Sequence, residues 1–262
     1  MRGVGLRREH YGEILERGVR GVDFVEITPE NFFEPGGRPW AALLRAREDV
    51  PISVHGTSLG IGDVDPIDVS YLASLARVIE RVDPFLVSDH FCWVRSGGFY
   101  SHDLLPMPFT REALDHVASR VHYVQEKLKR TILLENVSRY LEMPGAEMDE
   151  AELMNELCAR TECGFLLDVN NVYVTAKNNG GDPHRTIDRI HPSIVREIHI
   201  AGFSESGEIL IDTHSKHVAK EVWDLHRSAL SRFGDVPSLL EWDDDLPTWS
   251  ELCAEAKHHE AR

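Results

Sequence analysis

Eight short apolar runs recur along the chain, each four to six residues long and separated from the next by a stretch of different periodicity. Because each run is apolar at consecutive positions, both faces of the element that it forms must be buried, which is typical of a strand inside a parallel sheet. The sequence therefore predicts eight buried strands, at Gly3–Leu6, Val22–Ile27, Ile52–His55, Phe85–Ser88, Thr131–Glu135, Gly164–Val169, Val195–Ile200 and Ser238–Trp242.

The stretches between these runs place apolar residues three and four positions apart, which is the spacing of an amphipathic helix. Pro51, Pro84 and Pro237 stand directly before predicted strands, where a helix must already have ended. Helices are predicted at Arg8–Arg17, Trp40–Ala46, Val69–Arg81, Arg111–Lys129, Glu150–Thr161 and His217–Phe233.

Strands that alternate with helices in this number predict an α/β fold, a (β/α)8 TIM barrel that forms a single domain over residues 1–262. An open doubly wound sheet is the alternative, but such a sheet usually has fewer strands and a glycine-rich fingerprint after the first one. Gly60 and Gly62 are followed by neither a third glycine nor a helix start, so they indicate only a turn.

The chain carries 44 acidic and 28 basic residues, which gives a net charge of −16 with histidine neutral. Phosphate groups are bound by basic surfaces, so this balance argues against nucleic acid or an anionic membrane as the partner.

The first residues contain no apolar run of signal-peptide length, and no stretch approaches the ~18–20 apolar residues of a membrane span. Cys92, Cys158, Cys163 and Cys253 form no C-x-x-C pair and are predicted to be reduced thiols. These features predict a cytoplasmic protein.

Side chains that can bind metal stand at or just after the ends of most of the predicted strands. In a barrel these ends meet on one face. Four histidines and four carboxylates are therefore predicted to converge there: His55, His90, His199, His214, Glu135, Asp168, Asp212 and Glu241. Burying four carboxylates together is prohibitive unless cations neutralise them. The set predicts a multinuclear metal site, and imidazole and carboxylate ligands without cysteine favour iron, zinc or manganese.

Several neighbouring residues are candidates for supporting roles. Asn136 and Asn170 are candidates for hydrogen bonds to ligand carboxylates, and Glu26 for either orienting a ligand or forming a structural ion pair. Asp89 is expected to point to the other side of its strand and to bond to the backbone. Cys92 is expected to be a buried structural thiol.

The order of motifs resembles that of the multinuclear non-heme iron-dependent oxidative enzymes, a family that includes enzymes of methanobactin and thiaglutamate biosynthesis. The resemblance extends from Gly3 to about Ala256. It is carried by Gly3-Val-Gly-Leu-Arg7, Val25-Glu-Ile-Thr-Pro-Glu-Asn31, Ser88-Asp-His-Phe-Cys-Trp93, Asp103-Leu-Leu-Pro-Met-Pro108, Leu133-Leu-Glu-Asn136, Leu167-Asp-Val-Asn-Asn-Val-Tyr173, Ile211-Asp-Thr-His214 and Leu240-Glu-Trp-Asp243.

The resemblance implies a barrel of the xylose isomerase and endonuclease IV type with two or three irons at its mouth. The implied ligands are His55, His90 and Glu135 for the first iron, Glu135, Asp168, His199 and Glu241 for the second, and Asn171, Asp212 and His214 for the third. Glu135, Asp168 and His199 would act in catalysis through the metal. Related endonuclease IV-type barrels have histidine at the position of Asn171, and because an amide oxygen is a weaker ligand, a weaker third site is expected.

The resemblance also implies the reaction and the partners. Family members use dioxygen and a mixed-valent Fe(II)/Fe(III) pair to oxidise a ribosomally made precursor peptide, often at a cysteine. They usually work with a separate small protein that binds the leader of that peptide. The sequence does not distinguish among the outcomes known for such enzymes, which include oxazolone and thioamide formation, carbon excision and cleavage.

Three other functions remain as alternatives. An endonuclease IV-like hydrolase would share the ligand order, but the net charge of −16 and the amide at Asn171 argue against it. Sugar isomerisation with manganese or magnesium is disfavoured because a set with four histidines is rich in nitrogen for a hard cation. A metal store or a peptide-binding chaperone without catalysis is disfavoured by the intact ligand set.

Overall fold

The eight predicted strands close into one parallel barrel, in which each strand pairs with the next along the chain and the eighth pairs with the first. The computed structural model describes residues 1–260, except for the side chains of residues 259 and 260. Residues 261 and 262 of the predicted domain lie outside the described residues. The barrel strands are β1 (Arg2–Gly5), β2 (Phe24–Ile27), β3 (Ile52–His55), β4 (Leu86–His90), β5 (Leu133–Glu135), β6 (Gly164–Asp168), β7 (Val195–Ile200) and β8 (Ser238–Leu240).

The observed strand boundaries differ from the predicted ones by at most two residues. Strand β4 continues to His90, because His90 pairs with Glu135 in the ladder between β4 and β5. Strand β8 ends at Leu240, two residues earlier than predicted. The backbone nitrogen of Glu241 nevertheless donates to the carbonyl oxygen of Ile200 at 2.9 Å, so this residue is still held against β7.

Helices surround the barrel between the strands. Those of the described residues are α1 (Tyr11–Arg17), α2 (Gly37–Arg47), α3 (Val69–Val82), α4 (Arg111–Leu128), α5 (Glu150–Thr161), α6 (Val169–Asn179), α7 (Pro183–Arg189), α8 (Lys220–Phe233) and α9 (Trp249–Ala256). None of the helices in residues 1–260 combines the length and the hydropathy that crossing a bilayer requires.

Three of these helices were not predicted, for different reasons. Helix α6 follows β6 without a loop, and residues 169–176 are all buried, so it lacks the polar face that produces an amphipathic pattern. Helices α7 and α9 are only seven and eight residues long. A short helix contains too few turns for periodicity to distinguish it from a loop.

Two antiparallel hairpins, which the sequence analysis did not predict, extend the loops at the carboxyl end of the barrel. Residues 92–96 pair with residues 99–106 after β4, and residues 204–206 pair with residues 209–211 after β7. Asp63 anchors the first hairpin by accepting hydrogen bonds from the backbone nitrogens of Val94 and Arg95 at 2.7 and 2.9 Å. The hairpins flank the face on which the strands end.

Gly3 allows a close approach between two neighbouring strands of the barrel. A methyl group at Gly3 of β1 would lie 2.3 Å from the ring of Phe24 on β2, so glycine is required for that ring to fit. Phe24 is fully buried and packs edge-on against Phe85, with 5.3 Å between ring centroids. The interior is thus filled by side chains, as in other barrels of this size.

Candidate metal centre

His55, His90 and Glu135 come from the carboxyl ends of three neighbouring strands and meet in the buried mouth of the barrel. Nε2 of His55 lies 3.0 Å from Oε2 of Glu135, and Nε2 of His90 lies 3.2 Å from the same oxygen. The two Nε2 atoms are themselves 3.2 Å apart. Three potential ligand atoms therefore surround one point.

Hydrogen bonds on the far side of each ring determine which nitrogen faces that point. Nδ1 of His90 lies 3.1 Å from the carbonyl oxygen of Gly56. Because a carbonyl oxygen only accepts, Nδ1 carries the proton, and the neutral ring presents a lone pair on Nε2. Nδ1 of His55 lies 2.8 Å from Oγ of Ser88, whose hydroxyl is directed towards the carbonyl oxygen of Val54, so His55 has the same tautomer. Such hydrogen bonds are typical of metal-binding histidines.

A second group of ligand atoms shares Glu135 with the first. Glu135, Asp168, His199 and Glu241 are buried, and each offers one atom within 4.8 Å of the others. Nδ1 of His199 lies 3.5 Å from Oε1 of Glu135 and 3.3 Å from Oε2 of Glu241. Because the two oxygens of Glu135 face different groups, this carboxylate is positioned to bridge two ions.

Asp212 and His214 form a third group, beyond the hairpin that follows β7. Oδ1 of Asp212 lies 2.7 Å from Nε2 of His214, and Asn170 donates a hydrogen bond to the same oxygen at 2.7 Å. Nδ1 of His214 lies 3.3 Å from Oε2 of Glu241, which joins this group to the second. His214 has a φ of 46°, a conformation that costs a non-glycine residue about 1 kcal/mol, so the surrounding fold must hold it there.

Asn171 adjoins the second group. Its backbone nitrogen donates to Oδ1 of Asp168, and its Nδ2 donates to the carbonyl oxygen of Asn136 at 2.9 Å. The remaining Oδ1 is buried and accepts no hydrogen bond from any residue that the structure describes. Among those same residues, no hydrogen bond or ion pair joins Asn171 to Asp212 or His214.

Burial and mutual charge determine the protonation of the cluster. Burial alone would lower the pKa of His55, but the Glu135 carboxylate raises it to about 10. Burial would raise the pKa of Glu135, but the neighbouring imidazoles, His199 first among them, lower it well below its ordinary range. Burial and then the charge of Glu135 raise the pKa of Asp168 well above its ordinary value. The metal-free cluster therefore retains protons that a bound ion would displace.

Glu26 supports His199 from the interior of the barrel. Oε2 of Glu26 lies 3.4 Å from Nε2 of His199, the ring nitrogen that faces away from Glu135. Ser53 donates a hydrogen bond to the same oxygen at 3.1 Å. Of the two predicted roles, the geometry therefore favours orientation of a candidate ligand. Glu197, which the sequence analysis missed, lies beside Glu26, and burial together with that neighbouring charge raises its pKa to about 8.

The other predictions of supporting roles had different outcomes. Asn170 donates a hydrogen bond to Asp212, which is a predicted ligand whose role stays a prediction. The one for Asn136 is wrong, because its amide holds the backbone of Asp168 instead, donating to the carbonyl oxygen at 3.0 Å and accepting from the nitrogen at 2.9 Å. Asp89 accepts hydrogen bonds from two backbone nitrogens, as predicted.

Arg7 and Asp243 also belong to the centre, although the sequence analysis did not single them out. The guanidinium of Arg7 contacts Asp243 and lies 3.6 Å from Oε1 of Glu241. Oδ2 of Asp243 lies 3.1 Å from Nδ1 of His214. Asp243 follows Glu241 by two residues, so alternation along an extended segment would have suggested that both face the same side.

The donor set fits a metal ion. Oδ2 of Asp168 and Oδ1 of Asn171 are buried without a hydrogen bond from any described part of the chain. An unsatisfied buried polar atom costs about 1–3 kcal/mol, so this arrangement needs a compensating partner. Mixed imidazole nitrogens and carboxylate oxygens suit iron or zinc, whereas calcium prefers oxygen alone.

A closed parallel (β/α)8 barrel with a buried cluster of imidazoles and carboxylates at its strand ends is the architecture of a TIM-barrel enzyme whose site can bind metal. The profile of the family described as "RiPP precursor modification enzyme MbnB/TglH/ChrH" matches residues 1–262. The chain therefore belongs to this family, whose substrates are precursors of ribosomally synthesised and post-translationally modified peptides.

Two similar proteins that align with almost the whole chain are designated UPF0276 protein. The one from Anaeromyxobacter sp. (strain Fw109-5) is 47% identical over 255 residues, which is 97% of this chain and 90% of that protein. The one from Caulobacter vibrioides is 44% identical over 260 residues, which is 99% of this chain and 93% of that protein.

Two solved structures illustrate the similarity in fold. D-psicose 3-epimerase from Clostridium cellulolyticum H10 has a TM-score of 0.62 at 10% identity, over 98% of this chain and 89% of that one. Endonuclease IV from Thermus thermophilus has a TM-score of 0.60 at 17% identity, over 100% of this chain and 98% of that one. At these identities the similarity establishes the barrel and not the reaction.

Proposed function

We propose that this protein is a multinuclear iron-dependent oxidase that uses dioxygen to modify a ribosomally synthesised precursor peptide, at a cysteine or at another residue near the C-terminus of that peptide. The observation that carries the proposal is the convergence of Nε2 of His55 and Nε2 of His90 on Oε2 of Glu135. This convergence lies at the mouth of a barrel whose family modifies peptides.

The proposed ligands fall into three overlapping sets. His55, His90 and Glu135 would hold the first iron, and Glu135, Asp168, His199 and Glu241 the second. Asp212 and His214 would hold a third ion together with the amide oxygen of Asn171. The shared carboxylate of Glu135 and the separate orientations of its two oxygens support the first two sets. The unpartnered oxygen of Asn171 supports its inclusion.

Bound iron would supply the one-electron chemistry that lets dioxygen react with the peptide. The chain itself keeps the site dry, because the ligands on β3, β4, β5 and β7 are buried. Glu135, Asp168 and His199 are the proposed catalytic residues, since they would touch the ions directly. Glu26 would keep His199 in the orientation that presents Nδ1 to the site.

The proposed partners are the precursor peptide and a separate small protein that binds its leader, in the cytoplasm. The hairpins after β4 and β7 border the mouth, where a peptide would enter. Conversion of the peptide with and without the protein encoded beside the gene would test the partner. Full-rate conversion by the enzyme alone would contradict the requirement for it.

Metal analysis combined with oxygen uptake tests the main proposal. Protein purified without oxygen should contain two to three irons per chain and should consume oxygen when the precursor peptide encoded nearby is added. Glu135→Ala should lose both bridged irons and all turnover. His122→Ala, at an exposed histidine on α4, is the matched control and should behave as wild type.

The same assays separate oxidation from hydrolysis. A protein with zinc alone that cleaves abasic DNA and consumes no oxygen would be an endonuclease IV-like hydrolase. Iron retained with full turnover in Glu135→Ala would show that the proposed ligand sets are wrong.

A further inference from the structure

Cys158 and Cys163 lie side by side at the end of the barrel opposite to the metal centre. Cys158 is in the last turn of α5, and Cys163 directly precedes β6, whose other end carries Asp168. Their Sγ atoms are 3.7 Å apart, and each residue is about 5% exposed. A separation of five residues matches no familiar cysteine motif, so the sequence does not predict this pair.

The backbone between the two cysteines enforces this proximity. Glu162 ends α5 in a left-handed conformation with a φ of 58°, and its nitrogen donates to the carbonyl oxygen of Cys158 at 2.9 Å. This turn reverses the chain, so that Cys163 lies against the last helical turn. The hydroxyl of Thr161 is bonded to the carbonyl oxygen of Leu157 at 2.8 Å, which holds the helix end in place.

The two thiols differ in chemical character. The hydrogen bond between the sulfurs lowers the pKa of Cys163, whereas for Cys158 the same bond and burial raise the pKa. These directions make Cys163 the sulfur of the pair that gives up its proton more readily, and the thiol of Cys158 is close enough to donate to it. A thiolate next to a second thiol is typical of redox-sensitive cysteine pairs.

The pair borders an open groove of about 450 Å³. The groove is lined by Asn155, Glu162, His191 and Arg196 as well as by the two cysteines. Both cysteines line this groove but are only about 5% exposed, so we expect an oxidant as small as hydrogen peroxide to reach the sulfurs and a bulky disulfide to be excluded.

We propose that Cys158 and Cys163 form a peroxide-sensitive dithiol, a site of reversible oxidative modification separate from the metal centre. The thiolate of Cys163 attacks hydrogen peroxide, so that an S–O bond forms, the O–O bond breaks, and the released hydroxide takes a proton to become water. The sulfur of Cys158 then displaces hydroxide from the sulfenic acid, and its thiol proton completes a second water. Two thiols lose two electrons in total, and one peroxide is reduced to two waters.

Disulfide formation requires the two sulfurs to approach from van der Waals contact at 3.7 Å to the S–S distance of a disulfide, about 2.0 Å. Cys92 and Cys253 provide internal controls, because among the described residues neither of them contacts the thiol of a second cysteine. Burial raises the pKa of Cys253 to about 11 and that of Cys92 well above its ordinary value.

Mass spectrometry of the chelator-treated protein tests the proposal without interference from bound iron. After hydrogen peroxide treatment, the intact mass should fall by two hydrogens, and non-reducing peptide maps should join Cys158 to Cys163. Dithiothreitol should restore the original mass. The rate should not depend on protein concentration, since the bond is intramolecular.

Two variants make the roles of the sulfurs distinguishable. In Cys158→Ser, Cys163 should be trapped as a sulfenic acid by dimedone, whereas in Cys163→Ser, Cys158 should stay unmodified under the same conditions. Circular dichroism should show that both variants are folded. Survival of both thiols in wild type, equal oxidation of Cys92 or Cys253, or disulfides between molecules would each overturn the proposal.

Discussion

Replacing Glu135 by glutamine removes one negative charge from the middle of the centre with little change in volume. In the metal-free protein, the carboxylate of Glu135 is the main group that raises the pKa of His55 from 6.5 to about 10. A tenfold change in an acid dissociation constant corresponds to about 1.4 kcal/mol. The difference between pKa values of 6.5 and about 10 therefore represents about 5 kcal/mol of favourable interaction between the protonated imidazole and the folded protein. Both groups are buried, so solvent screens the interaction little.

The direction in which folding shifts the pKa of His55 determines how the free energy of unfolding depends on pH. Because the pKa of His55 is higher in the folded than in the unfolded chain, the stabilisation is fully present below pH 6.5 and is lost as the pH rises through about 10. Between pH 6.5 and 9.5, wild type should lose about 3.5 kcal/mol through this group. In Glu135→Gln the carboxylate that raises the pKa of His55 is gone, whereas the burial that lowers it remains. The pH-dependent loss of stability through His55 should therefore disappear.

Urea unfolding of chelator-treated protein at the two pH values measures the effect. Glu48→Gln is the matched control, because Glu48 is exposed and, among the described residues, its ion pair is the one with Arg45 at 3.4 Å. The control should retain the wild-type pH dependence. If Glu135→Gln and wild type lose the same free energy of unfolding between the two pH values, the electrostatic account of the first ligand group is wrong.

Three further predictions concern metal affinity and packing. Glu26→Gln should weaken binding of the ion held by His199 about 10–100-fold, measured by competition with a chelator, because its carboxylate orients that ring. Asn171→His should raise the metal content towards three ions per chain by elemental analysis, since imidazole is the stronger ligand. Gly3→Ala should lower the free energy of unfolding in urea by about 1–3 kcal/mol, because its methyl group would overlap the ring of Phe24.

The barrel was predictable because its strands are buried on both faces and therefore appear as unbroken apolar runs. The hairpin strands carry alternating polar residues such as Arg95 and His102, and they pack over the mouth and not in the barrel wall. Helix α6 is buried through most of its length and resembles a continuation of β6 in sequence. Patterns of hydrophobicity detect boundaries between buried and exposed faces, so elements without such a boundary are missed.

The strand-end histidines and carboxylates of the centre were predictable from topology, because parallel strands deliver their carboxyl ends to one face. Glu197 was missed although it lies two residues before His199 and points to the same side of β7. The pair of Cys158 and Cys163 was missed for another reason. It depends on the left-handed conformation of Glu162, and nothing in the chemistry of a glutamate predicts that conformation.

The carboxylate charges around the mouth are balanced in two different ways. Arg7 supplies a permanent charge to Asp243 and Glu241, and these two carboxylates raise its pKa although burial would lower it. Glu135 and Asp168 lie on other strands and make no ion pair with Arg7 in the part of the chain that is described. Their charge is balanced by protons, which a metal ion can replace, whereas a second guanidinium would fill the space that the ion needs. Arg7 therefore neutralises Asp243, whereas Glu241, whose pKa His214 and His199 lower against the effect of burial, stays with Glu135 and Asp168 among the carboxylates that a metal ion could bind.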